Sequence, residues 1–271
     1  MMAEFINRKQ VKQEVRELLR SAWVSPKGMV ALYMGITLGM ELLQSLIGAS
    51  GAVYTFIDIL TGLIGSVLSV GFILYCMAIR RGERAEYLTL FDGFTFVGKI
   101  ILLIIVQMFF IFAWSMLFFI PGIIASYRYS FAIYNLCENP GIGILEAIEM
   151  SKRQTMGYKG QLFMLDLSYL GWTLLAILPS MVYLGMSVNY LLQALDISAA
   201  YIHMDAVVGP AWLWVILVSV WGLLVSLFYL PNMQCVQLAY FETAKRTSGI
   251  GEGAGEDSTP RLEDGDGWNG L

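Results

Sequence analysis

From Ile100 to Ile120 the chain runs 21 residues without a single charged side chain, broken only by Gln107, Ser115 and a few aromatics. A helix needs about 20 apolar residues to cross the hydrocarbon of a bilayer. In lipid, only a helix or a closed barrel satisfies its own backbone polar groups. One such run could be a buried core helix. Several of them, joined by short links, leave a helical membrane protein as the remaining architecture.

Further runs of this kind are present. They cover residues 29–47, 53–79, 162–186 and 211–230, with a shorter and more polar one at 123–137. Composition agrees: 57% of residues are hydrophobic and 14% charged, where soluble domains carry about a quarter charged. The reading is an all-α membrane protein with six transmembrane helices and kinks or breaks at Pro121, Pro179 and Pro231. A six-span domain then occupies residues 29–246.

The placement of positive charge orients it. Cytoplasmic loops collect Lys and Arg. Six lie within residues 1–28, four within 80–99, three within 138–160 and three beyond Pro231, while 48–52 and 188–210 have none. If 123–137 crosses, every basic segment falls on one side and both termini are cytoplasmic. Arg128 alone of the 17 lies within a span.

Residues 1–28 read as an amphipathic interfacial helix. Asn7 is its cap and Gln10 stands in a capping-box position. Val11, Val15, Leu18, Leu19 and Ala22 share one face, with Arg8, Lys9, Lys12, Arg16 and Arg20 around the rest. Its expected partners are the bilayer and anionic lipid headgroups; a short soluble helix packed on cytoplasmic loops is the alternative. Residues 144–156 predict a short helix stopped by Gly157. Residues 188–210 predict a helix on the outer face or a continuation of the fifth span. The tail, 247–271, has six acidic residues and seven glycines, a composition expected to be disordered.

Three stretches carry a resemblance: INRKQVKQEVRELLRSAW (6–23), FFIPGIIASYRYSFAIYNLCENP (118–140) and LEAIEMSKRQTMGYKGQLFMLDLSYLGW (145–172). In this order and spacing they resemble the bacterial integral membrane family known as domain of unknown function 975. The resemblance implies a location in the bacterial cytoplasmic membrane and carries no activity, ligand or site residue. The SKRQTMGYKG turn is also faintly similar to membrane domains attached to glycerophosphodiester phosphodiesterases, but no phosphodiesterase domain is present.

Candidate site residues are the charges inside spans. Arg128 is placed about 10 Å below the outer end of its span by the helical rise. Glu41 and Asp58, at about 9 and 8 Å on the same measure, match its depth. The three form an expected intramembrane charge network. It is a structural ion pair, or a polar cavity for an anionic headgroup or small solute; a snorkelling Arg128 is the third possibility. Asp166 is a secondary candidate, near the start of span five and within reach of Lys159 or Lys99.

No cofactor is expected. Cys76, Cys137 and Cys235 are too scattered for a disulfide framework, and a lone His203 makes no metal site. Nucleotide-binding and hydrolase motifs are missing, and nothing points to nucleic acid. A non-enzymatic scaffold, regulator or envelope-interaction protein is the first expectation, with a protein partner or homo-oligomer possible. A transporter, channel or lipid-handling protein built around Arg128 is the alternative.

Overall fold

A computed structural model describes residues 4–47, 51–194 and 211–251. His203, most of the segment 188–210 and nearly all of the acidic tail lie outside the described residues.

The described chain is entirely helical. Helix α1 spans Arg8–Arg20, α2 Pro26–Ile47 and α3 Gly51–Arg80. A 3₁₀ helix, Tyr87–Phe96, leads into α4, Val97–Leu117. Then come α5 (Phe119–Tyr129), α6 (Ala132–Glu138), α7 (Ile144–Gln154), α8 (Lys159–Ala194) and α9 (Ala211–Ser248). Four stretches are long and apolar enough to cross a membrane: Gly51–Arg80, Tyr87–Leu117, Lys159–Val182 and Ile216–Ser248.

Two boundaries differ from the sequence expectation, both at prolines. Pro121 neither kinks nor ends the third run. The break falls at Phe118, whose backbone is extended, and the helix restarts at Phe119. Pro121 then sits in the first turn of α5, where its missing N–H leaves no bond unmade. Pro231 does not end the last helix, which continues to Ser248. A mid-helix proline costs about 3 kcal/mol. Cys235, Val236, Leu238, Tyr240, Phe241 and Ala244, all beyond it, are at most 1% exposed. Burial of those side chains outweighs that cost. Helix α8 runs through Pro179 to Ala194, so the fifth helix continues into the start of 188–210, one of the two expectations for that segment.

The buried core lies toward the end of the bundle where α3 and α9 finish. It joins the second half of α3 (Val67–Ile79), α6, the inner face of α7, the first turns of α8, and α9 from Cys235. Ion pairs ring this charged end. Arg80 grips Glu242 through two nitrogens, Nε at 2.8 Å. Lys245 reaches Glu138 at 2.6 Å. At the other end, α4, α5 and much of α8 turn their large apolar side chains outward. That is the surface lipid rewards and water does not.

Helix α1 directs its apolar stripe into this core. Val15 is 1% exposed, and Val11, Leu18, Leu19 and Ala22 pack beside it. Asn7 caps it by accepting from Lys9 N at 3.2 Å, while Gln10 pairs forward with Glu14 instead of closing a capping box. The stripe is therefore covered by protein, as in the alternative of a helix packed on the rest of the chain, and Lys9, Arg16 and Arg20 form its outward basic face. Arg8 donates to Met164 O at 2.7 Å and Lys12 to Ser168 Oγ at 2.7 Å, which fastens α1 along α8. Burial, then Arg8, holds the Lys12 ammonium below the usual lysine range.

Candidate functional site: a broken helix and its cationic groove

Helices α4 and α5 form an antiparallel hairpin whose two arms can be matched by contact. Near the Phe118 turn, a Cβ on Gly122 would lie 2.0 Å from Ser115 Oγ, so only glycine lets the arms close there. Midway along α4, Gln107 Nε2 donates to Tyr129 O at 2.8 Å. Near its start, Lys99 Nζ donates to the carbonyls of Pro140 and, at 3.2 Å, Ile142. The returning arm, residues 119–138, thus runs back along the length of α4 even though it is in two pieces.

The discontinuity at Ser130–Phe131 is the centre of the site. A helix that stops inside a bundle leaves its last carbonyls without N–H partners, and burying them unpaired is costly. Here side chains supply the donors. Ser130 Oγ donates to Tyr127 O at 2.9 Å and Gln107 serves Tyr129 O. Ser151 Oγ donates to Arg128 O at 2.9 Å and accepts from Phe131 N at 3.1 Å, bridging both sides of the gap. Thr155 Oγ1, which donates to Ser151 O at 2.8 Å, lies 3.3 Å from Arg128 O. Helix α7 is thus a splint for α5–α6. It is held in turn by a reciprocal amide pair, Asn135 with Gln154 at 2.8 and 2.9 Å, both residues almost fully buried.

Arg128 is in the last turn of α5, where a positive charge meets the negative end of the helix dipole. Its side chain and that of Lys159, the first residue of α8, line a groove of about 210 Å3. Trp114, Pro121, Ile124 and Ala125 form the rest of the wall. Among the described residues neither cation has an ion pair. On the adjacent face of α5, Tyr127 donates to Asp166 Oδ2 at 2.9 Å, and Gln237 Nε2 reaches Oδ1 at 3.2 Å. That carboxylate ties α5, α8 and α9 together.

The charge network read from depth is not assembled by these helices. Glu41 accepts from Ser219 Oγ at 3.3 Å, joining α2 to α9. Asp58 is exposed on the outer part of α3. Arg128 is held elsewhere because α5 packs on α4, α7 and α8, whereas α2 packs on α3 and α9. Asp166 does not take Lys159 or Lys99 as its partner: it accepts from Tyr127 and Gln237, while Lys99 is engaged by backbone carbonyls and Lys159 lines the groove. Position along a helix is readable from sequence, but which way a helix faces depends on its neighbours. The residues missed are Ser151, Thr155 and Gln237. The one available signal is that Ser151 and Gln237 are polar residues on the apolar faces of their helices; Thr155 is the residue just past the end of α7.

Four long apolar helices and an all-helical core define a multi-pass α-helical membrane protein. The family model described as protein of unknown function (DUF975) matches residues 111–248, and the chain belongs to that family. No curated protein and no solved structure matches the chain. The matched region begins within α4 and takes in the hairpin turn, the broken helix, the α7 splint, Asp166 and the buried part of α9.

Proposed function

We propose that this is a six-span cytoplasmic-membrane protein with both termini in the cytoplasm. In this reading it is not an enzyme, and it uses the groove at Arg128 and Lys159 to hold the anionic end of a bilayer amphiphile. The observation that carries the reading is the pairing of two cations, unmatched by any described acid, with an apolar wall beside a broken helix. Like charges at close range repel, and an anion between them converts that repulsion into attraction. Non-helical backbone at membrane depth is tolerated where it is buried in protein or lines a cavity, and broken helices recur at ligand sites. The chain's 57% hydrophobic composition and the matched arms of the α4–α5/α6 hairpin support six crossings. The single-sided distribution of basic residues supports the orientation.

Native mass spectrometry of the protein released from mixed bilayers tests this. Retained anionic phospholipid is expected for the wild type, and its loss for the Arg128→Gln, Lys159→Gln double variant. Equal retention by both would refute the groove. A scaffold or regulatory role is the second reading. The ion-paired charged end of the bundle favours it, since no open path through the core is needed for such a role.

A further inference from the structure

The 3₁₀ helix Tyr87–Phe96 has a periodicity that separates three chemistries. With three residues per turn, positions three apart lie on one line. Leu90 and Gly93 form the inner line. A Cβ on Gly71 would lie 1.8 Å from Leu90 O, and one on Gly93 would lie 2.7 Å from Val67 O, so backbone rests on backbone there. Leu88, Phe91 and Phe94 form an exposed apolar line. Thr89, Asp92 and Thr95 form the third, and all three face a cavity of about 440 Å3 at the charged end of the bundle.

The cavity has an apolar wall made by Leu74, Met77 and Phe96. Its charges are not equally available. Arg81 turns toward Glu138 at 4.0 Å, and the Arg84 guanidinium lies over the Trp23 ring at 5.0 Å. Glu83 and Asp92 line the same cavity, and among the described residues their carboxylates have no ion pair. The volume falls within the range of small-molecule sites, about 300–1,000 Å3.

We propose that this cavity binds a small organic cation, an ammonium group carried on an apolar body. The ammonium sits against Asp92 and Glu83, and the apolar body lies on Met77, Leu74 and the Phe96 ring. An ammonium offers three donors and no acceptor, which suits carboxylates flanked by threonine hydroxyls. The apolar wall selects against a bare metal ion, and of the four charges that line the cavity Arg81 and Arg84 have other contacts, at Glu138 and Trp23, while the two carboxylates have no ion pair among the described residues. This site is separate from the Arg128 groove and does not depend on it.

Isothermal titration of the full chain in nanodiscs with benzylammonium as probe tests the proposal, with benzoate as the anionic control of similar size. Saturable benzylammonium binding is expected, weakened about tenfold or more by Asp92→Asn, the loss of one charged contact. Arg153→Gln, an exposed charge on α7 that does not line the cavity, should leave it intact. If Asp92→Asn does not yield folded protein, Glu83→Gln in the exposed turn gives the same readout. Benzoate binding as strong as that of benzylammonium would overturn the proposal, as would an affinity unchanged in both acid variants.

Discussion

Arg128 is the residue on which a structural and a ligand-binding account part. Removing one member of a buried ion pair typically costs about 3–5 kcal/mol, because the other charge is left stranded. Here no acid is stranded. Arg128→Gln should therefore shift stability in mild detergent by no more than about 1 kcal/mol, and its effect should add to that of Glu41→Gln within about 0.5 kcal/mol. Thermal unfolding of the two single variants and the double variant measures this; a clear rescue of one by the other would restore the ion pair. That Arg128 interrupts an otherwise apolar stretch could be read from the sequence. Its true companion was not legible, because Lys159 lies 31 residues on and is brought to it only when α7 folds back as a splint. Ser151 was hidden for the same reason: its hydroxyl bonds to backbone atoms that a continuous helix would have kept for itself.

At the scale of elements, most helices were legible, because an apolar run of the right length has few alternatives. Helix α7 stops at Gln154, with Gly157 close behind at φ 82, as its sequence implied. Proline misled in two directions. Pro121 belongs to a helix start, and Pro231 is overridden by packing that no local pattern reveals. The 3₁₀ helix was not foreseen either. Its inner line contains a glycine and its outer line is apolar, so neither a helical nor a strand period stands out. Its close approach to α3 gives a sharp test. Gly71→Ala would drive a methyl into the Leu90 carbonyl and should cost more than the roughly 1–3 kcal/mol typical of overpacking. Gly35→Ala, with nothing within 4 Å of its would-be Cβ, should be harmless. Thermostability by size-exclusion chromatography separates them; equal tolerance would mean that the 3₁₀ helix does not rest on α3 as described.

For the whole molecule, the account joins six crossings to a groove that faces the bilayer. In a cysteine-free background, cysteines replacing Ser50 or His203 should react with an impermeant thiol reagent in intact cells, whereas cysteines replacing Glu83 or Glu149 should not. Labelling of residue 149 from outside would remove the fourth crossing and place Arg128 in a different setting. The groove itself is tested most directly by Trp114, which lines it. Its emission is isolated as the difference between the wild type and Trp114→Phe, in bilayers whose lipids carry brominated acyl chains. The account predicts stronger quenching of Trp114 by brominated phosphatidylglycerol than by brominated phosphatidylcholine, and loss of that preference in the Arg128→Gln, Lys159→Gln variant. Equal quenching by the two lipids in the wild type, or a preference that survives removal of both cations, would contradict it.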